Sequence, residues 1–157
     1  MTLGQLEFLG GFIDDLLDLG MLKSGTFSLK AESFDILSVV RLILKIFGPQ
    51  AKAKNVKMRA TVQQVEVYDS ELATDELPQL PKLIGDERRI KQIMINLIRN
   101  ALKFTQAGFI SLQVIYNGWP SNKLTIAVQD TGVGISAEER PSLFTRFGKL
   151  LRTASIN

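Results

Sequence analysis

The sequence predicts an α+β fold, a two-layer α/β sandwich in which helices cover one face of a mixed sheet, preceded by one long N-terminal helix. Two observations carry this prediction: segments of helical period alternate with segments of strand period, and two strand segments are joined by turn-forming residues. The chain has 157 residues, room for one domain and a short extension. Its composition, 45% hydrophobic and 22% charged, is that of a globular protein rather than a disordered one.

The first predicted element is an amphipathic helix over residues 3–22. Lys23 and Gly25 end this helix, because a cation followed by a glycine favours a helix C-terminus. Residues 26–32 then alternate apolar and polar side chains and predict a short strand. The apolar face of the helix needs a partner; its core positions, in 3-4-3 spacing, are Leu6, Leu9, Ile13 and Leu16.

A second helix is predicted over residues 35–53, with Ser33 or Asp35 as its N-cap. One narrow polar stripe interrupts an otherwise apolar surface, so we expect this helix to be buried on most sides against the sheet. The stripe consists of Ser38, Arg41 and Lys45.

The middle of the chain predicts strand, loop and helix. Residues 56–67 are a β-type run, residues 68–82 form an acidic loop with two prolines, and Asp86 opens a strong helix over residues 86–105.

The last third predicts a hairpin, a turn and a short helix. Residues 108–116 and 123–129 alternate in character and flank a turn-forming segment, which is typical of a β-hairpin. A glycine-containing turn comes next, and Ser136 caps a short helix that reaches about Phe147.

Composition excludes several classes of function. Lys and Arg exceed Asp and Glu by 19 to 16, an excess too small and too scattered to indicate a nucleic-acid partner. Because the chain has no Cys, disulfides, thiolate nucleophiles and Cys-ligated zinc are excluded. Because it has no His, it offers neither a histidine base nor a phosphohistidine.

No direct membrane contact is predicted for this segment. The most apolar stretch, residues 34–47, is too short to span a bilayer and contains three charged residues. The first 20 residues lack a basic start and carry acidic residues, unlike a signal peptide. We expect a cytoplasmic protein, and the sequence is equally compatible with the intracellular part of a membrane receptor.

The helix over residues 86–105 has a polar face of unusual composition. Amide oxygens are hard ligands that suit Mg²⁺, amide nitrogens donate to phosphate oxygens, and a lysine adds a point charge for phosphate. An ordinary solvent-facing surface is the alternative interpretation. At about 100° per residue, the polar face consists of Gln92, Asn96, Asn100 and Lys103. The opposite, apolar arc consists of Ile90, Ile93, Met94, Leu97, Ile98, Ala101 and Phe104.

The turn after the hairpin begins with Asp130 and contains Gly132 and Gly134. A carboxylate at a strand end can accept from an exocyclic amine such as that of adenine, and glycine lets the backbone approach a ligand closely. Taken alone, the pattern is also typical of an ordinary turn. Phe144 and Phe147, three residues apart, indicate core packing when taken alone.

In this order, the three motifs resemble the N box, first glycine box and F box of the histidine-kinase ATP-binding domain. That domain belongs to a family shared with gyrase, MutL and heat-shock chaperone ATPases, whose Bergerat-type fold is a two-layer sandwich of the predicted kind. The residues that carry the resemblance are Asn96, Asn100, Ala101, Lys103 and Phe104, then Asp130, Gly132, Gly134 and Ile135, then Phe144 and Phe147.

Two further segments, the one that leads into the N box and the one at the start of the chain, resemble sensor and hybrid histidine kinases in particular. Residues 86–93 are similar to the lead into their N box, and residues 13–19 and 23–27 to the end of their second dimerisation helix. We therefore expect the end of a dimerisation helix and a linker over residues 1–25, and an ATP-binding domain over residues 26–157.

The resemblance implies a role for each site residue. Asn100 holds the Mg²⁺ that bridges the ATP phosphates, Asn96 and Lys103 contact phosphates, and Asp130 takes the adenine amino group. Gln92 takes the place of a catalytic Glu in the gyrase and chaperone branch; because an amide is no general base, it favours a kinase over a hydrolase. The other residues implied to bind the nucleotide are Phe104, Gly132, Gly134, Ile135 and Phe147.

The implied reaction is transfer of the γ-phosphoryl group of ATP to a histidine outside this chain, within a two-component phosphorelay. The implied partners are a second copy through the N-terminal helix, a histidine phosphotransfer helix and a response regulator or receiver domain. A second glycine box is expected beyond Asn157, so we expect the chain alone to be inactive and marginally stable, aggregating or depending on a partner.

Two other functions stay open on sequence grounds. One is a catalytically inactive dimerisation or interaction module with a degenerate nucleotide site. The other is an ATP hydrolase of the gyrase, MutL or chaperone branch, against which Gln92 and the kinase-like N-terminal segment argue.

Overall fold

A computed structural model describes residues 20–63, 65–67, 80–118 and 120–142. The predictions for residues 3–19, for most of the 68–82 loop and for Phe144 and Phe147 lie outside these residues. Residues 20–24 are helical (α1), and the chain leaves this helix at Gly25, whose φ of 69° is left-handed. None of the described helices combines the length and apolar character needed to cross a bilayer.

Helices and strands alternate along the rest of the described chain, which confirms the predicted α+β class. The element bounds are β1 Glu32–Phe34, α2 Ile36–Ala53, β2 Val56–Val62, β3 Val65–Val67, β4 Leu83–Gly85, α3 Glu87–Phe104, β5 Gly108–Asn117 and β6 Lys123–Asp130.

The main sheet has four described strands in the order β3-β2-β5-β6. The outer pairs are antiparallel, β5 with β6 being the predicted hairpin, and the central pair β2–β5 is parallel, from Val56 opposite Gly108 to Val62 opposite Val114. Alternate side chains of the central strands face the helices and are buried; they are Val56, Ala60 and Val62, and Ile110, Leu112 and Val114. The sheet is therefore mixed and covered by helices on one face, as predicted.

Helix α2 is the main cover of β2. Its N-cap is Asp35, one of the two predicted candidates, whose carboxylate accepts from the backbone N–H groups of Leu37 at 2.9 Å and Ser38 at 3.3 Å. The predicted polar stripe is exposed, but so are Leu42, Pro49, Gln50, Lys52 and Ala53, so the helix is less buried than predicted. Its buried face supplies the core with Ile36, Val39, Val40, Ile43, Leu44, Phe47 and Ala51.

A second, two-stranded sheet joins β1 to β4 in antiparallel register, with Glu32 opposite Gly85 and Phe34 opposite Leu83. The strand predicted over residues 26–32 is wrong, because residues 26–31 have no regular structure and the strand begins at Glu32. The alternation in residues 26–32 predicted pairing, but the partner β4 lies some fifty positions away and its three residues carry too little pattern to be recognised.

The turn after β6 leads into the predicted cap. The backbone N–H of Glu139 donates to Ser136 Oγ at 3.3 Å, and the Ser136 N–H donates to Glu139 Oε2 at 3.1 Å, a reciprocal capping box. Within the described residues the cap opens a single 3-10 turn, Arg140–Ser142, and the remainder of the predicted helix lies outside them.

Candidate functional site

Helix α3 carries the polar face predicted from the sequence, and its ends are fixed by caps. Asp86 is the N-cap and accepts from the backbone N–H of Arg89 at 3.1 Å, while the N–H of the C-cap Thr105 donates to the Ala101 carbonyl at 2.9 Å. The helix contacts α2, β5 and β6. Its buried side chains are Met94, Ile98, Ala101 and Leu102.

The apolar arc predicted for α3 is partly wrong. Ile93 and Leu97 are 57% and 42% exposed, whereas Leu102, which the arc did not include, is 6% exposed. Because α3 wedges between α2 and the hairpin, its buried face is centred on Met94 and Ile98 and extends towards Leu102. Ile93 and Leu97 lie on the flank that no described element covers.

The four polar residues of the predicted face lie on one side of α3. Asn96, Asn100 and Lys103 are exposed, and Gln92 is half-buried. Gln92, which lies one helical turn before Asn96, accepts a hydrogen bond at its Oε1 from Arg89 Nη1 at 3.0 Å. The polar row adjoins the uncovered apolar flank, since residues three and four positions apart are neighbours on a helix.

Asp130 ends β6 and lies on the face of the sheet that packs against α3. It shares this face with Leu124, Ile126 and Val128 by alternation, and it is opposite the buried Ile110 in the β5–β6 register. Its side chain is exposed, and Oδ1 accepts from the backbone N–H of Gly132 at 2.8 Å. The carboxylate is thus held where β6 ends and the glycine-containing turn begins.

Gly132 presses the acidic turn against the end of α3. A Cβ at this position would lie 2.6 Å from the Phe104 carbonyl oxygen and 2.8 Å from Asp130 Oδ1, so only glycine fits. Gly134 has open space around it but a φ of 67°, which also favours glycine. The two glycines are therefore required for different reasons, one steric and one conformational.

Thr131 fastens the same turn to the start of β5, a role that no residue pattern predicted. Its N–H donates to the Phe109 carbonyl at 3.2 Å, and its hydroxyl accepts from the Phe109 N–H at 2.9 Å and donates to the Ala107 carbonyl at 3.1 Å. Gly108, with φ of 106°, leaves the space that the Thr131 side chain fills. The turn is thereby held from both α3 and β5.

Lys54 holds the other side of the α3 C-terminus and was also missed by sequence reasoning. It follows α2 directly, and its Nζ donates to the Leu102 carbonyl at 2.9 Å. A cation at a helix C-terminus satisfies a free carbonyl and interacts favourably with the helix dipole. Lys103 stays nearby, with its ammonium 5.4 Å from the centroid of the Phe104 ring.

The structure thus brings the acidic turn and the last turn of α3 into contact through Gly132 and Phe104. Asn100 lies one turn earlier on the same helix, about 6 Å along its axis. Ile135 is 41% exposed beyond the turn, and Phe147 lies outside the described residues. The binding role of each of these residues stays a prediction.

No group of three or more Asp or Glu side chains among the described residues is arranged to hold a metal ion.

Comparison with known proteins agrees with the geometry. Residues 85–156 match the sequence profile of the family described as histidine kinase-, DNA gyrase B-, and HSP90-like ATPase. The chain is 30% identical to the sensor histidine kinase GacS of Pseudomonas protegens, covering 95% of this chain and 16% of that protein. It is 28% identical to the hybrid signal transduction protein dokA of Dictyostelium discoideum, covering 88% of this chain and 8% of that protein.

A solved structure shares the fold as well. Full-length ShkA in complex with AMPPNP superposes with a TM-score of 0.70 at 25% identity, over 91% of this chain and 27% of that chain. The chain spans less than a fifth of the length of both curated relatives, GacS and dokA. The profile match over residues 85–156, the relatives and the shared fold agree with the motifs on α3 and after β6: this part of the chain matches the histidine kinase-, DNA gyrase B-, and HSP90-like ATPase family, and the chain as a whole is similar to sensor histidine kinases.

Proposed function

We propose that this domain binds ATP with Mg²⁺ between α3 and the Asp130 turn and serves transfer of the γ-phosphoryl group to a histidine outside this chain, in two-component signalling. The observation that carries the proposal is the contact of Gly132 with the Phe104 carbonyl, because it joins the acidic turn to the helix that bears the polar row.

At the adenine end, Asp130 would select the base. Its Oδ1 is oriented by the Gly132 N–H, and its Oδ2 has no partner among the described residues and can accept from the exocyclic amine of adenine. Phe104, which is half-buried at the end of α3, and Ile135, which is exposed after the turn, would offer apolar surface to the base. A nucleotide would lie with its base at the turn and its phosphates along α3.

At the phosphate end, the residues fit a magnesium–phosphate group. Mg²⁺ takes few protein ligands and keeps waters and phosphate oxygens in its shell, so one amide oxygen such as that of Asn100 is sufficient. When bound, Mg²⁺ supplies neutralisation of phosphate charge. Asn96 and Lys103, both exposed on the same row, would donate to phosphate oxygens and orient them.

The work of this domain in the reaction would be positioning rather than proton transfer. Phosphoryl transfer depends mainly on aligning the phosphate chain and stabilising its charge. Gln92 cannot remove a proton from water, which supports transfer to an acceptor over hydrolysis. The acceptor histidine must come from elsewhere, because this sequence has none.

Partners of the whole protein follow from the same proposal. The description of dokA as a hybrid signal transduction protein supports a phosphotransfer helix and a receiver domain or response regulator as partners. We also propose that two copies pair through the N-terminal helix and that this domain lies in the cytoplasm.

Nucleotide titration by calorimetry on the 157-residue chain tests the proposal. Asp130→Asn should abolish binding of ATP·Mg²⁺ and of adenosine, while Asn100→Asp should weaken ATP·Mg²⁺ and ADP·Mg²⁺ but spare adenosine. Asp35→Asn is the matched control, because Asn also caps helices and Asp35 caps α2 rather than α3. Absence of binding by the unmodified chain, or equal loss of adenosine and ADP in Asn100→Asp, would contradict the proposal.

The exposure of Ile93 and Leu97 favours the second candidate, an interaction module with a degenerate nucleotide site. That candidate binds ATP weakly or not at all, so the affinity measured in the same titration separates the two.

A further inference from the structure

The segment between α1 and β1 is tied to the first turns of α3 at two points. The backbone N–H of Lys30 donates to Asp86 Oδ2 at 3.1 Å, and the guanidinium of Arg89 lies 5.1 Å from the centroid of the Phe27 ring. Phe27 is half-buried by this contact, although its neighbours in the chain are exposed. The irregular segment over residues 26–30 is therefore docked on α3.

Asp86 joins both partners of this docking. Its Oδ2 accepts from Lys30 while its Oδ1 accepts from the backbone N–H of Arg89. The bond from Lys30, then the bond from Arg89, and then the nearby Arg89 and Arg88 charges hold the pKa of the Asp86 carboxyl below its ordinary value of 3.8. The segment and the helix are thus linked through one ionised side chain.

Arg89 also contacts the polar row of α3, at Gln92. Its Nη1 donates to Gln92 Oε1 at 3.0 Å. Because an amide has its oxygen and its NH₂ group on opposite sides, this bond turns the NH₂ donors of Gln92 away from Arg89. Gln92 lies one turn before Asn96, at the phosphate end of the proposed site.

We propose that Arg89 is a positioning residue: held by the ring of Phe27, it orients the Gln92 amide as a donor towards the terminal phosphate of the bound nucleotide. This inference rests on the proposed function and concerns how the same site distinguishes ATP from nucleosides without phosphates.

The chemistry requires an arginine at this place. A guanidinium is flat, stacks on an aromatic face and at the same time directs N–H groups from its edge, whereas a lysine ammonium is a point charge with neither property. Arg89→Lys therefore keeps the charge but should lose the orientation, and Phe27→Leu keeps an apolar side chain but removes the stacking face.

The first experiment needs no nucleotide. In the ¹⁵N-labelled 157-residue chain, Phe27→Leu and Arg89→Lys should shift the side-chain NH₂ resonances of Gln92, which are assigned by their loss in Gln92→Met. Arg41→Lys, the same exchange at an exposed position of α2, should leave them unmoved. Unchanged Gln92 resonances in Phe27→Leu would overturn the inference.

The second experiment separates nucleotides by their phosphates. Phe27→Leu and Arg89→Lys should each weaken ATP·Mg²⁺ binding about fivefold, the equivalent of one hydrogen bond, and leave adenosine binding unchanged. In a Gln92→Ala background, Arg89→Lys should have no further effect. Equal loss of ATP and adenosine would overturn the inference as a general structural effect.

The two ways to fail are distinguishable. If the proposed function is wrong, the unmodified chain binds no ATP·Mg²⁺. If only this inference is wrong, the unmodified chain binds ATP·Mg²⁺ and the Phe27 and Arg89 variants do not discriminate between ATP and adenosine.

Discussion

Helices α2 and α3 are both 18 residues long and cover the same face of the sheet, yet they expose different surfaces. α2 buries seven side chains and exposes one large apolar side chain, Leu42 at 37%, beside its stripe of three polar ones. α3 buries four and exposes both a row of amides and two large apolar side chains. The difference teaches that α2 gives more of its surface to the core, whereas α3 gives more of its surface to an exposed face of mixed character.

The largest expected effect comes from one substitution made on each helix. Ile43→Ala on α2 removes a fully buried side chain and should lower the free energy of unfolding by about 2–5 kcal/mol. Ile93→Ala on α3, where the side chain is 57% exposed, should cost less than about 1 kcal/mol. Urea denaturation followed by circular dichroism measures both. Equal losses would show that the Ile93 flank is covered after all and would remove the contrast between the helices.

The next effect concerns the end of α3. Gly132→Ala places a methyl group 2.6 Å from the Phe104 carbonyl oxygen and should destabilise the domain by about 1–3 kcal/mol. Because the turn must move away from α3, ATP·Mg²⁺ binding should fall tenfold or more by calorimetry, about 1.4 kcal/mol.

Gly134→Ala is the matched control for that variant. It meets open space and should carry only the cost of a left-handed alanine, about 1 kcal/mol. If the two alanine variants bind ATP equally well, contact between the turn and α3 does not matter to the site.

A smaller effect tests the support that α2 gives to α3. Lys54→Met removes the bond from Nζ to the Leu102 carbonyl and should cost about 1 kcal/mol in thermal denaturation. Lys52→Met, two positions earlier in the last turn of α2, is the control. A loss as large in Lys52→Met would indicate a general charge effect rather than the capping bond.

The smallest effect depends on pH. Asp86→Asn keeps the cap but removes the charge. Since the pKa of Asp86 is lowered in the folded state, its ionised form stabilises the fold above the ordinary value of 3.8, and this contribution is lost as the pH falls through the lower folded value. The wild-type chain should therefore be more stable than the variant at pH 7, and the gap should close below pH 3.8. A gap that is constant from pH 7 to pH 2 would exclude the charge as its cause.

Much of the fold follows from periodicity. α2, α3 and the β5–β6 hairpin have long patterns and clear end signals at Asp35, Asp86 and the turn, and they were predicted within a residue or two. β1 and β4 were not, because three-residue strands are fixed by a distant partner rather than by their own sequence. Exposure of Ile93 and Leu97 was not predictable either, since an apolar arc does not say which flank a neighbour covers.

The candidate site divides in the same way. Residue types and their order indicated Asn96, Asn100, Asp130 and the two glycines, and the profile match supports the family. The close approach of Gly132 to Phe104 and the bond from Lys54 to Leu102 depend on where distant segments end in space, which the sequence does not encode locally.

The parallel pairing of β2 with β5 has a consequence for how the chain folds during its synthesis. The β5–β6 hairpin closes between near neighbours, but Val56 finds Gly108 only after α3 has been made. Strand pairs between distant segments form slowly, because the chain loses the entropy of loop closure before the contacts stabilise it. During synthesis we therefore expect one edge of β2 to stay unpaired until β5 has been made, and an unpaired strand edge is a site of aggregation.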